Sequence, residues 1–215
     1  SVPVLSACNS LHVDFSLVVP PNFKFTLFFG DGSADSSQAT TLSHFYSRPS
    51  FNLPRIVFYD TISGCEVAIN GRQRINVMGA IPLFGKDKKE FCDQGVVTFK
   101  NFTTKNEPII SNLWNFGDGA TSNLSDPSHN FTAPGLYPVT LTVTTQSNCT
   151  SSFSDTVLVY RTPVPSIESR DTICINTAEP FMGLLATADT LTNWQWNFGN
   201  GQTSNLQNTT ATYTA

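Results

Sequence analysis

Leu113-Trp114-Asn115-Phe116-Gly117-Asp118-Gly119 reads as a strand that runs into a tight turn. Glycine takes a positive φ there at no steric cost, and aspartate caps such a turn with its own side chain. Nearly the same four residues begin at Phe29 (Phe29-Gly30-Asp31-Gly32) and at Phe198 (Phe198-Gly199-Asn200-Gly201). The three copies are 87 and 82 residues apart. A tetrapeptide that returns at that distance marks one small domain copied along a chain. Function spread over copies points to spacing, display or binding rather than to a single catalytic centre.

Around the second copy the pattern is that of strands. Val96-Val97-Thr98-Phe99-Lys100-Asn101-Phe102 alternates as a half-buried strand does, and so does Tyr137-Pro138-Val139-Thr140-Leu141-Thr142-Val143. A turn through Ser147-Asn148-Cys149 leads to Asp155-Thr156-Val157-Leu158-Val159, and Pro134-Gly135 opens the strand before it. No stretch sustains a 3.6-residue period. Many short strands with regular turns predict an all-β chain of β-sandwich domains, about seven strands each. The proline-bearing joints Val77-Met78-Gly79-Ala80-Ile81-Pro82 and Arg161-Thr162-Pro163-Val164-Pro165 place the domains at 1–79, 80–162 and 163–215.

Cysteine supplies an independent ruler. Cys8 and Cys65 are 57 residues apart, as are Cys92 and Cys149, and Cys8, Cys92 and Cys174 recur at steps of 84 and 82. Each unit thus carries an early and a late cysteine, and the third carries only the early one. Equal spacing predicts bridges within units, Cys8–Cys65 and Cys92–Cys149, with Cys174 unpaired. Closing a loop of that size stabilises by at most ~4 kcal/mol in the chain-entropy model, which matters for a small core. Such bridges imply an oxidising compartment. The alternative is free buried thiols. No Cys-x-x-Cys occurs, and His12, His44 and His129 do not cluster with cysteines, so no metal is expected.

Composition excludes several classes. The net charge of −4 and pI near 5.2 argue against nucleic acid, which selects a basic face. No apolar run reaches the length of a membrane span, so no membrane insertion is expected. There is no initiator methionine, and the third copy stops before its Pro-Gly turn, which reads as a segment of something longer. No nucleophile elbow, His-Glu-x-x-His or phosphate loop is present, so no enzyme and no cofactor are expected. Calcium requires six to eight oxygens. Each turn offers one Asp, and the third has Asn200 instead, so turn capping is the preferred role of Asp31 and Asp118. Trp114 and Trp196 read as core, with Trp194 facing the same side as Trp196.

The run from Trp114 to Ser122, followed by His129-Asn130-Phe131-Thr132-Ala133-Pro134-Gly135-Leu136-Tyr137, resembles the PKD (polycystic kidney disease) domain. That family writes Trp-x-Phe-Gly-Asp-Gly, then an aromatic, Pro-Gly, Tyr and alternating Val/Leu. The third unit is similar from Trp196-Asn197-Phe198-Gly199-Asn200-Gly201 to Tyr213-Thr214-Ala215. The first departs most. Leu27 takes the tryptophan place and Arg48-Pro49-Ser50 replaces Pro-Gly, while His44 and Tyr46 match His129 and Phe131.

The resemblance implies immunoglobulin-like sandwiches outside the cell. Units with paired cysteines are similar to repeats of long surface adhesins of gliding gram-negative bacteria, exported by a type IX route. The implied function is a non-catalytic spacer and adhesion segment at the cell surface. Its partners would be neighbouring repeats of the same chain and surface polysaccharide or another surface protein. The alternative is a carbohydrate-binding or spacer module of a secreted hydrolase. Asp-Thr followed by an apolar residue occurs at Thr61, Thr156, Thr172 and Thr190. It resembles an O-glycosylation acceptor of the same bacteria, which would make the chain a glycoprotein. The plain alternative is threonine's preference for strand edges.

Overall fold

Alternation decides the strands. In Gly135–Thr145 the residues Val139, Leu141 and Val143 are buried while their neighbours face outward, the period of two that a pleated strand imposes. The computed structural model describes residues 5–170, 172–185 and 193–214. Among them every regular element is a strand. The chain is all-β, as the periodicity predicts. It divides into two compact units, Ser1–Val159 and Tyr160–Ala215.

The first unit holds two hydrophobic cores. In the one nearer the N-terminus, Phe23–Phe28 pairs with Ala34–Asp35 on one side and Arg55–Asp60 on the other, and Glu66–Asn70 forms the far edge. Leu11–Ser16 pairs with Thr41–Tyr46, and Ile75–Met78 lies between Leu5–Cys8, parallel, and Ser50–Asn52, antiparallel. Val13, Phe25, Leu27, Tyr46 and Val77, from all three sheets, pack together.

The second core lies between two sheets. Gly95–Asn101 pairs with Phe84–Lys86 and Ser128–Phe131. Facing it is a five-stranded sheet in the order Glu90–Cys92, Thr150–Tyr160, Gly135–Thr145, Ile109–Asn115, Thr121–Ser122. Val97, Phe99 and Phe131 of the first sheet meet Trp114, Leu141 and Val157 of the second, which makes this a sandwich. Pro138 pairs only with Thr156, because the Ile109–Asn115 strand ends opposite Thr140. Its missing N–H therefore falls where no second partner waits.

In the second compact unit Ala178–Leu185 lies between Pro165–Glu168 and Asn208–Thr212, and Trp196–Asn197 pairs with Thr203–Ser204. Trp114, Trp196 and Leu27 are 0, 8 and 3% exposed. All three equivalent places are therefore core, as expected. Each indole N–H reaches the carbonyl ten residues on, Trp114 to Leu124 at 2.9 Å and Trp196 to Leu206 at 2.7 Å. Trp194 is half-buried, lying across Gly183 so closely that a Cβ there would sit 2.2 Å from its ring.

Candidate functional site

Three features repeat or join the units: the turn carboxylate with its histidine, the joint at Gly79, and the cysteines. The turn comes first. Asp118 Oδ1 accepts the Ala120 N–H at 3.0 Å, and Asp118 Oδ2 accepts from His129 Nε2 at 2.6 Å. The imidazole lies flat on Phe116, 4.1 Å between centroids, and meets the edge of Phe131 at 4.7 Å. Asp31 repeats the arrangement with Ser33 and with His44 at 2.8 Å, the imidazole stacked on Phe29. In the second compact unit Asn200 still caps its turn through the Gln202 N–H, and Ala211 stands where the histidine would be. Carboxylate and imidazole are present together or absent together. Both oxygens of each Asp are thus engaged by turn and imidazole, the capping role read from the sequence.

Partial burial raises the Asp31 carboxyl. Hydrogen bonds from Ser33 and His44 outweigh that and hold it down at about 2. In Asp118 burial acts the same way and is outweighed by His129 and the Ala120 N–H, so it too lies below the usual carboxylate range. A carboxyl depressed on folding stabilises above its unfolded value near 3.9 and loses that contribution as pH falls through its folded value. Thermal stability should therefore decline between about pH 4 and pH 2. Asp31→Asn should flatten that limb for the N-terminal core. An unchanged acid limb in the variant would remove Asp31 from the cause.

The joint is held by side chains that carry no motif. Gly79 has φ +143, and a Cβ there would stand 2.4 Å from Asn9 Oδ1. Asn106 spans the connection. Its Oδ1 accepts the Gly79 N–H at 3.1 Å, and its Nδ2 donates to the Val77 carbonyl at 2.7 Å. Asn9 Nδ2 donates to the Thr150 carbonyl at 2.8 Å, and Asn9 Oδ1 accepts from the Ser151 hydroxyl at 2.9 Å. Sequence reading missed Asn9 and Asn106. Asparagine is abundant here, and only Gly79, set between two apolar runs, gave a signal.

Beside Asn9 stands the disulfide, and it is not one the spacing predicted. Cys8 bonds Cys149, with Cα atoms 5.2 Å apart, while Cys65, Cys92 and Cys174 are free and exposed. The expected pairs Cys8–Cys65 and Cys92–Cys149 are corrected by geometry. Cys8 is in register with Met78, and Val77 with Ser50, at the end where the chain leaves the first core. From Ser50–Asn52 the chain leaves this sheet through Leu53 and Pro54, enters another as Arg55–Asp60, and only then turns to Cys65, while Cys8 is held against Cys149. Cys92 is likewise displaced from Cys149. It follows Lys89, whose carbonyl accepts from Leu158 at the far end of the strand that Cys149 precedes.

Of the Asp-Thr sites, Thr61, Thr156 and Thr172 are exposed, and Thr190 lies outside the described residues. The Thr61 hydroxyl donates to the Asn22 carbonyl at 2.7 Å. Asp155 is engaged by Lys86 Nζ at 2.6 Å, a lysine whose side chain is almost wholly buried.

Residues 81–159 match the family model of the PKD domain. A microbial collagenase of Vibrio alginolyticus is 40% identical over 65 residues, which are 29% of this chain and 8% of that protein. Collagenase ColA of Bacillus cereus is 39% identical over 72 residues, 33% of this chain and 8% of that protein. The chain therefore spans less than a tenth of the length of these curated relatives. Among solved structures, the PKD1 domain of the Vibrio cholerae metalloprotease PrtV aligns at 28% identity with a TM-score of 0.35. That alignment covers 39% of this chain and 99% of the domain. The likeness to the PKD domain is thus carried by residues 81–159.

Proposed function

We infer that this chain is a non-catalytic segment of a larger extracellular protein, in which successive β-sandwiches act as a semi-rigid spacer and present adhesive surfaces. The observation that carries this reading is the joint. A disulfide, the Asn9 contacts and the Asn106 bridge all fix one sandwich on the next, and none of them builds a reactive site. A bridge that survives needs an oxidising compartment, which favours the outside of the cell. Exposed Thr156 and Thr172 are available there for O-linked sugar, whereas the Thr61 hydroxyl is held by the Asn22 carbonyl. A cell-surface adhesin, with neighbouring repeats and a surface polysaccharide or protein as partners, is the form of this function that the tandem copies favour.

The second reading is an accessory module of a secreted hydrolase. It is favoured by the 40% identity with a stretch of the Vibrio alginolyticus collagenase. Binding separates the two. The chain is passed over immobilised collagen and a panel of bacterial and plant polysaccharides, and its retention and any cleavage products are measured. The spacer reading expects no cleavage and no retention on collagen. Saturable binding to collagen or to a plant polysaccharide would shift the assignment to the hydrolase module, whereas binding to a bacterial surface polysaccharide would support the adhesive reading.

A further inference from the structure

Two of the three free cysteines, Cys92 and Cys65, stand in the same local structures as the bonded ones. Cys8 precedes Asn9 at φ 63, and the Ser10 N–H bonds back to the Cys8 carbonyl at 2.6 Å. Cys92 precedes Asp93 at φ 60, and the Gln94 N–H bonds back to the Cys92 carbonyl at 2.8 Å. The late cysteines match as closely. Cys149 follows Asn148 at φ 60 and its carbonyl accepts the Thr145 N–H at 3.0 Å. Cys65 follows Gly64 at φ 74 and its carbonyl accepts the Asp60 N–H at 2.9 Å. The chain thus contains two early turns and two late turns, and the one bond present joins the early turn of one repeat to the late turn of the next. Cys65 also opens Glu66–Asn70, an edge strand that exposes Val67 and Ile69, an unprotected edge of the kind that another segment covers.

We propose that Cys65 is the receiving half of a second staple of the same design, filled by the early cysteine of a like repeat that precedes it in a longer polypeptide. Cys92 is the corresponding donor half for a complete repeat. A row of such repeats is cross-linked at every joint, each early cysteine reaching forward and each late one reaching back. Formation of each bond removes two protons and two electrons from two thiols. The acceptor is an oxidised dithiol, such as a disulfide-bearing oxidoreductase or oxidised glutathione, which is reduced to two thiols.

The inference rests on the tandem reading above, and the test separates the two. A copy of residues 1–84 is placed before the full chain, which reproduces the joint that follows Met78, and the copy carries Cys65→Ser. After oxidative folding, Cys65 of the chain should resist alkylation, and its tryptic peptide 56–72 should be found linked to the copy of peptide 1–24. Cys8→Ser in the copy should free it again. Cys65 left reactive while Cys8–Cys149 is intact would overturn the inference and leave the joint standing. Loss of Cys8–Cys149 itself would overturn both. The same peptide mapped in protein from its own host is a second readout that needs no added copy. Linkage to an early-cysteine peptide supports the staple, whereas a free thiol or a bond to Cys8 contradicts it.

Discussion

Stretched through its ends in oxidising buffer, the chain should gain almost no length from residues 8–149, and reduction should release them. The bond spans 141 residues, so the released length is at most about 500 Å at 3.3–3.6 Å per residue. The strand Thr150–Tyr160, which supplies Val157 and Val159 to the second core, lies outside that loop, so load can peel it away while the residues between the two cysteines stay closed. Cys8→Ser should show the long extension without reductant. Bridges confined to single repeats would instead release about 200 Å from each, in separate events. The same reduction should lower stability by up to about 5 kcal/mol, the chain-entropy value for a loop of this size. The consequence for function is direct. A segment that carries load outside a cell keeps its length, and its joint, while its domains unfold and refold.

Trp114→Ala should cost 3–5 kcal/mol, on the order of half the stability of a small domain. The indole is wholly buried, 5.0 Å from the Phe84 ring and 5.5 Å from the Phe99 ring. Truncation leaves a cavity between the two sheets and strips the Leu124 carbonyl of its donor. Urea unfolding followed by intrinsic fluorescence or circular dichroism measures the loss. A change below about 1 kcal/mol would mean that the sandwich core is not organised around this ring.

Much of the first unit's architecture was legible because its signals are local. Val139, Leu141 and Val143 announce a strand by period alone, and the glycine pairs around Asp31 and Asp118 announce turns. The tryptophan place could be followed to Leu27, because a core position tolerates a change of side chain but not of polarity. The histidines could be aligned but not understood, since nothing in sequence says that His129 lies flat on Phe116 and reaches back to Asp118.

The bridge was misread for a reason inherent to repeats. When an early and a late cysteine recur at one period, the same positions allow each early residue to join its own late partner, 57 residues on, or the next unit's, 141 residues on. Only the direction in which each turn faces distinguishes the two schemes, and direction is a property of the folded sheet. Cys8 ends its strand beside Met78, whereas Cys65 follows Arg55–Asp60, a strand of a different sheet. Gly79, with Asn9 packed where a side chain would be, then fixes which neighbour Cys8 meets.

Peptide mapping of the chain without reductant tests most directly whether the two sandwiches are tied to each other. Free thiols are blocked after oxidative folding, the protein is cut with trypsin, and linked peptides are identified by mass. The structure requires peptide 1–24 joined to peptide 106–161, with Cys65 in 56–72 and Cys92 in 90–100 both alkylated. Peptide 1–24 joined to 56–72, together with 90–100 joined to 106–161, would contradict it and return each bridge to its own domain.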